Sequence, residues 1–191
     1  ILIPVINPAA FRSGTRESVE DDGVNFNRAF VEAAGQTPAM SGITHRIADF
    51  VRQCVWPHVH VVLDLHAGGT FLAFAYCVSY HRVADPELAR SVEDTAKWFG
   101  VPFLLNYADS TPGLLTSEAE SLGKITIGGE FGYGESVQAE GVRFSRQGVL
   151  AAAINHDQLQ GEIEPLAHHA DGTQMLVSIV DPAGWVQAPW P

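Results

Sequence analysis

The residue types able to do chemistry in this chain stand in four short segments. Asp64-Leu65-His66-Ala67-Gly68-Gly69 sets an acid and an imidazole two positions apart, and Gly128-Gly129-Glu130-Phe131-Gly132 sets a carboxylate among glycines. Arg16 and the run Asn25-Phe26-Asn27-Arg28 place guanidinium and amide donors in a stretch otherwise rich in acids: Glu17, Glu20, Asp21 and Asp22. On a strand ending near Leu65, alternation would project Asp64 and His66 to the same side. Imidazole is a common zinc ligand, and a ligating histidine usually gives its other N–H to a carboxylate, carbonyl or water. Asp64 would then orient the ring of His66; the plainer alternative is a core histidine beside a capping aspartate. A catalytic zinc takes three protein ligands and an open position, so His66 alone is not a metal site. Glu130 has the chemistry of a general base, able to take a proton from a metal-bound water and pass it to a leaving amine. Its alternative is a solvated or helix-capping acid ahead of a helix near Ser136. An arginine fork pairs a carboxylate through two parallel N–H bonds and an asparagine adds a donor, which suits Asn27 and Arg28 to an anionic substrate. Surface ion pairs within an acidic loop are the competing reading.

Other candidates are weaker. His58 and His60 would share a strand face but have no further ligand nearby, His168-His169 lies in a polar tail, and His45, His81 and His156 stand alone. No G-x-S-x-G elbow is present, nor a complete G-x-G-x-x-G or a Walker lysine, so covalent hydrolysis and nucleotide binding have no local support.

These segments must be positioned by elements that the hydropathy pattern suggests. Residues 1–6 read as a buried strand, followed by a loop over about 7–42. Ile43, Ile47, Phe50, Val51 and Val55 recur at helical spacing up to Trp56-Pro57. Residues 59–65 form a Val-rich run of the kind covered on both faces, and 71–80 a further strand. Asp85-Pro86-Glu87 offers an N-cap, a first-turn proline and an acid for a helix that Gly100 stops. Strands are expected over 102–107, 124–129 and 175–180, with helices over 114–122 and about 136–159. This alternation implies an α/β sandwich around a mixed, mainly parallel sheet, in which sites form beyond the carboxyl ends of strands. Asn7, Arg16 and Asn27-Arg28 would follow the first strand, Asp64 and His66 the second, and Glu130 the last.

A chain of 191 residues fits one domain, and 46% hydrophobic with 17% charged residues excludes a disordered one. Eleven basic against 22 acidic residues give a net charge of −11, which argues against nucleic acid or an anionic membrane as partner. No apolar run has the length of a membrane span, and no signal segment opens the chain. Cys54 and Cys77 are expected to be buried free thiols, which fits a reducing, cytoplasmic setting. The opening Ile1-Leu2-Ile3 without Met, and the stop at Pro191, suggest an interior piece of a longer protein.

Taken in order, Asn7-Pro8-Ala9-Ala10-Phe11 to Thr15-Arg16, Asn25-Phe26-Asn27-Arg28-Ala29-Phe30, Asp64-Leu65-His66-Ala67-Gly68-Gly69 and Gly129-Glu130-Phe131-Gly132 resemble the succinylglutamate desuccinylase/aspartoacylase family. The resemblance covers about residues 1–160 and implies a three-layer, zinc carboxypeptidase-like fold. It implies zinc as cofactor, with His66 as the last of three ligands. The other two, in an H-x-x-E motif that these 191 residues lack, are expected upstream of Ile1. Glu130 would be the general base, Arg16 would polarise the scissile carbonyl, and Asn27 and Arg28 would grip the substrate carboxylate. The family's Phe-Pro-Gly after the Asn-Arg pair reads Phe30-Val31-Glu32 here, so the substrate-side loop is expected to differ. Residues 161–191 resemble the approach to the family's smaller β-rich domain. The implied activity is deacylation of a small, anionic N-acyl amino acid, in a protein open to homo-oligomer formation. A zinc carboxypeptidase acting on peptides and a non-catalytic binding domain that has lost its metal are the alternatives.

Overall fold

The computed structural model describes residues 1–19, 21–31, 42–70, 72–108, 110–134, 136–162 and 175–179, the last as backbone. They form two units, one built from Ile1–Val61 with Thr111–Lys124 and the other from Val62–Ser110 with residues 125 onward.

The first unit is mostly helical. Residues 1–6 are not a strand: Ile1 and Leu2 are 82% exposed, and no described residue pairs with their backbone. A hydrophobic run becomes a strand only where a neighbour accepts its ladder, and no described residue does so here. The expected loop after it holds helix α1 (Pro8–Ser13), with Asn7 capping Ala10 N, Pro8 in the first turn and left-handed Gly14 at its end. A single 3₁₀ turn, Phe26–Arg28, follows. Helix α2 (Ile43–Phe50) runs on through a wide π turn, Val51–Val55, and a 3₁₀ turn, Trp56–His58. Its first N–H groups have no intrahelical partner, and the acids of the preceding loop satisfy them. Asp21 accepts from Ile43 N at 2.6 Å and Asp22 from Thr44 N at 2.8 Å. Burial alone would raise the Asp22 carboxyl, but the N–H groups of Val24 and Thr44 outweigh it and lower its pKa. Lys124 closes the other end of the run, donating to the carbonyls of Trp56 and Val59 at 2.8 and 2.9 Å. Cys54 lies on the outer side of the π turn and is exposed, against expectation. His58 ends the 3₁₀ turn and His60 precedes the next strand, so they share no strand face. Helix α4 (Leu115–Ser121) completes this unit.

The second unit is built on a sheet. Strands β1 (Val61–His66), β2 (Cys77–His81), β3 (Phe103–Tyr107), β4 (Ile125–Glu130) and β5 (Met175–Ile179) lie in the order β1-β4-β2-β3-β5. β2/β3 and β3/β5 are parallel and β2/β4 antiparallel, which makes a mixed α/β sheet as the element pattern implied. Among the described strands β1 lies at the edge, and it is only half-buried, so its apolar run does not signal cover on both faces. β2 begins at Cys77; Leu72 and Phe74 before it are exposed, and Phe71 lies outside the described residues. Helix α3 (Pro86–Trp98) starts where Asp85 accepts from Glu87 N and Leu88 N at 2.9 and 2.8 Å, and Gly100 at φ 68° follows its end. Helix α5 (Ala139–Asn155) is shorter at both ends than its sequence pattern. Val78, Tyr80, Leu104 and Ile127 of the sheet pack with Val92, Ala96, Phe99, Phe131 and Phe144 in one core. Alternation along the strands therefore leaves Cys77 and Ser79 of β2 and Glu130 of β4 on the opposite face. No helix among the described residues is long and apolar enough to cross a membrane.

Candidate active site

The polar end of the sheet is where β1 and β4 finish together. Phe131 N donates to His66 O at 2.9 Å, and two residues on Gly68 N donates to Gly132 O at 2.9 Å. His66 and Glu130 are thereby the terminal residues of adjacent strands. Alternation along β1 brings Asp64 and His66 together as expected, with Nε2 of His66 2.9 Å from Oδ2 of Asp64. A carboxylate on one ring nitrogen sets the tautomer and the tilt of the imidazole, so a metal bound here would be taken through Nδ1. Glu130 belongs to the strand itself, eight residues before Gln138, the N-cap of α5; it is not a helix cap.

On its other side Glu130 is register-paired with Cys77, the first residue of β2. Because β4 runs antiparallel to β2, the carboxyl end of one meets the amino end of the other. The carboxyl ends of β2 and β3, at His81 and Tyr107, lie at the opposite end of the sheet. The rule that sites follow every strand end applies here to β1 and β4 only. Cys77 is buried, and burial raises its thiol to about 11; the Glu130 N–H opposes that shift and the Glu130 carboxylate adds to it. Burial also raises the phenol of Tyr107, with Cys77 and Glu130 contributing. The Cys77 thiol beside the carboxylate is thereby kept neutral.

Gly129 and Gly132, on either side of Glu130, and Gly68 of the adjoining turn are places of close approach, whereas Gly134 is open. A Cβ at Gly129 would stand 2.6 Å from the Phe131 ring and 2.9 Å from Cys77 O. At Gly132 it would stand 2.9 Å from Gln138 Oε1, and at Gly68 it would collide with the Leu72 carbonyl. Gln138 closes that turn, accepting from Tyr133 N and donating to Tyr133 O.

The arginines and asparagines belong to the first unit. No strand end places them; a short antiparallel bridge, Glu17 to Asn25, brings the Arg16 segment alongside the Asn27-Arg28 turn. Asn25 caps that turn by accepting from Asn27 N at 2.9 Å. Asn27 Oδ1 accepts from Leu115 N at 2.9 Å, and Arg28 Nη1 donates to Asn27 O at 2.6 Å. Arg16 and Arg28 are exposed. The neighbouring acids Asp21 and Asp22 are engaged in capping α2, so the acidic loop is not simply a set of ion-pair partners for these arginines.

Sequence reasoning missed one cluster in this unit. Arg52, on the π turn, holds both oxygens of Glu118 through Nε (3.1 and 2.9 Å) and Oε2 again through Nη2 at 2.7 Å. It also donates to Asp49 Oδ1 at 3.0 Å and Val31 O at 3.3 Å, and Trp56 Nε1 donates to Glu118 Oε1 at 2.8 Å. Arg52 and Glu118 stand 66 residues apart, so no local pattern announces the pair.

Among the described residues no group of three His, Cys, Asp or Glu side chains converges as a metal site. The Asp64–His66 pair fits one donor of such a site and its supporting carboxylate, and no more of it.

The chain is similar to known proteins over most of its length. The sequence model of the succinylglutamate desuccinylase/aspartoacylase catalytic domain matches residues 1–155. An N-α-acetyl-L-2,4-diaminobutyric acid deacetylase of Halomonas elongata is 29% identical over 98% of this chain and 52% of its own length. A succinylglutamate desuccinylase/aspartoacylase of Rhodobacter sphaeroides superposes with a TM-score of 0.80, at 26% identity over 98% of this chain and 54% of its own. The product-bound ectoine utilization protein EutE (DoeB) of Ruegeria pomeroyi superposes with a TM-score of 0.80, at 25% identity over 95% of this chain and 52% of its own. The chain thus spans about half the length of these relatives. With the catalytic-domain match running through Arg16, Asn27-Arg28, His66 and Glu130, and the mixed sheet superposing on these structures, the chain belongs to the succinylglutamate desuccinylase/aspartoacylase family.

Proposed function

We propose that the protein containing this chain is a hydrolase of the amide bond in a small N-acyl amino acid, with Glu130 as general base. The observation that supports this best is the terminal placement of His66, braced by Asp64, beside Glu130 on adjacent strands. A carboxylate fixed by the sheet at that point can accept a proton from an attacking water and return it to the departing amine. Asn27 and Arg28 are proposed to hold the substrate's carboxylate, and Arg16 to polarise the scissile carbonyl and stabilise the oxyanion. Zinc is proposed as the cofactor, with His66 as the donor from this chain; when bound, it supplies a Lewis acid and lowers the pKa of a water. The similarity to a diaminobutyric acid deacetylase favours an acyl amino acid over a peptide as substrate. The free cysteines Cys54 and Cys77 fit a reducing, cytoplasmic setting.

The test is a substrate panel on the full-length gene product: N-acetyl and N-succinyl amino acids against short peptides, before and after chelation. Hydrolysis of the acyl amino acids is expected, abolished by chelation and reduced about 10²–10⁴-fold by Glu130→Gln. Cleavage of peptides alone would replace this reading with a carboxypeptidase. Activity indifferent to chelation would remove zinc from it.

A further inference from the structure

Asparagine is an ambiguous ligand for a carboxylate: its nitrogen attracts the anion and its oxygen repels it, and a half-turn about the terminal bond exchanges the two. In this structure the ambiguity is resolved from behind. Leu115 N is a donor only, so the Asn27 atom facing it at 2.9 Å has to be the oxygen. That bond turns the Asn27 Nδ2 hydrogens away from α4, and no described residue accepts from them. Leu115 opens α4, where its N–H has no helical partner and is available to a side chain.

The location of α4 relative to the Asn27 turn is set in turn by Arg52. Its guanidinium grips Glu118 of α4 through two N–H groups, Nε–H shared between both oxygens and Nη2 on Oε2, reaches the Val31 carbonyl at the end of the Asn25–Val31 segment, and lies 5.4 Å from the centre of the Phe30 ring. Trp56 Nε1 fixes the same Glu118 carboxylate, and Phe30 N donates to Gly113 O just before α4. Burial would lower the Arg52 guanidinium pKa, but Glu118 and Asp49 more than offset that and raise it, so the grip is fully charged at any working pH.

We propose that Arg52, Glu118 and the Leu115 N–H are a positioning device for the substrate carboxylate. They commit the Asn27 oxygen so that its amide presents only donors, and the protein thereby discriminates acyl amino acids from their uncharged carboxamides. This rests on the carboxylate role given to Asn27 and Arg28 above. Arg52 and Glu118 touch no substrate; they act through Asn27.

Leu115→Pro isolates the device. Proline is favoured at the first position of a helix, and Leu114 before it already has the φ −82°, ψ 150° that proline requires of its predecessor. The variant removes the N–H and keeps the helix, while Leu115→Ala removes the side chain and keeps the N–H. In the full-length gene product, Leu115→Pro is expected to raise KM for an N-acetyl amino acid about tenfold over Leu115→Ala. That fold-change corresponds to about 1.4 kcal/mol. kcat should be unchanged, as for a loss of uniform binding, and KM for the matching carboxamide should not move. Arg52→Gln should show the same pattern, and decides the matter if the proline variant does not fold. Equal KM for the proline and alanine variants, or an equal rise with acid and carboxamide, overturns the proposal while leaving the deacylase reading intact. A wild-type protein that hydrolyses no acyl amino acid overturns both.

Discussion

Adding one methyl group at Gly141 tests whether the helix behind the sheet sets the position of the proposed base. Gly141 lies in the first turn of α5, where alanine is intrinsically better by about 1 kcal/mol. Its missing Cβ, however, would sit 2.8 Å from the carbonyl carbon of Phe131 and closer still to the oxygen, with the Tyr76 ring at 3.1 Å on another side. An ordinary C···O contact needs about 3.3 Å, so helix and strand end would have to separate by more than about 1 Å. The obstacle is backbone and cannot rotate away, which places the overpacking cost near the upper end of about 1–3 kcal/mol. Net of propensity, Gly141→Ala should destabilise by about 2 kcal/mol, or roughly 5 °C in Tm for a chain of this size. The displaced residue follows Glu130 directly and donates its N–H to His66 O at 2.9 Å. A shift of about 1 Å at that point predicts about a 100-fold loss of kcat/KM. Urea unfolding and steady-state kinetics on the full-length gene product measure both quantities, with the 51%-exposed Val142→Ala as the same-helix control. If Gly141→Ala were as stable as wild type, the close-approach argument would fail. If stability fell and kcat/KM held, the link from α5 to Glu130 would be wrong.

Three further outcomes are expected. Asp64→Ala removes the brace on His66 and should lower kcat/KM about 10–100-fold; unchanged kinetics would leave Asp64 with no part in orienting the ring. His156, 3.2 Å from Thr95 Oγ1, has its pKa lowered from 6.5 by burial, with Asp157 opposing. Its neutral form is the one the fold favours, so this stability is present above about pH 6.5 and lost as pH falls through the lowered folded value. His156→Gln should therefore flatten the urea midpoint between pH 7.5 and 5, and a midpoint difference identical to wild type would refute the assignment. Iodoacetamide at pH 8 should label exposed Cys54 and spare Cys77, which is buried with its thiol near 11; mass spectrometry of the native protein reads the ratio.

Local chemistry made much of this protein legible in its sequence. The cap at Asp85, the stop at Gly100, the strands near 61–66, 103–107 and 125–130 and the Asp64/His66 alternation all depend on residues within a few positions of one another, and all are found. The order of four motifs was enough to carry the family resemblance. Long-range pairing decided the rest. Hydropathy alone could not say that Ile1 to Val5 find no ladder partner among the described residues, or that β4 runs antiparallel to β2 and so puts Glu130 opposite Cys77. Nor could hydropathy show the Phe131 ring against Gly129, Gln138 against Gly132 or the Leu72 carbonyl against Gly68. Likewise Asn27 has two possible orientations in any sequence. Only a backbone N–H arriving from residue 115, held there by Arg52 across 66 residues of chain, selects between them.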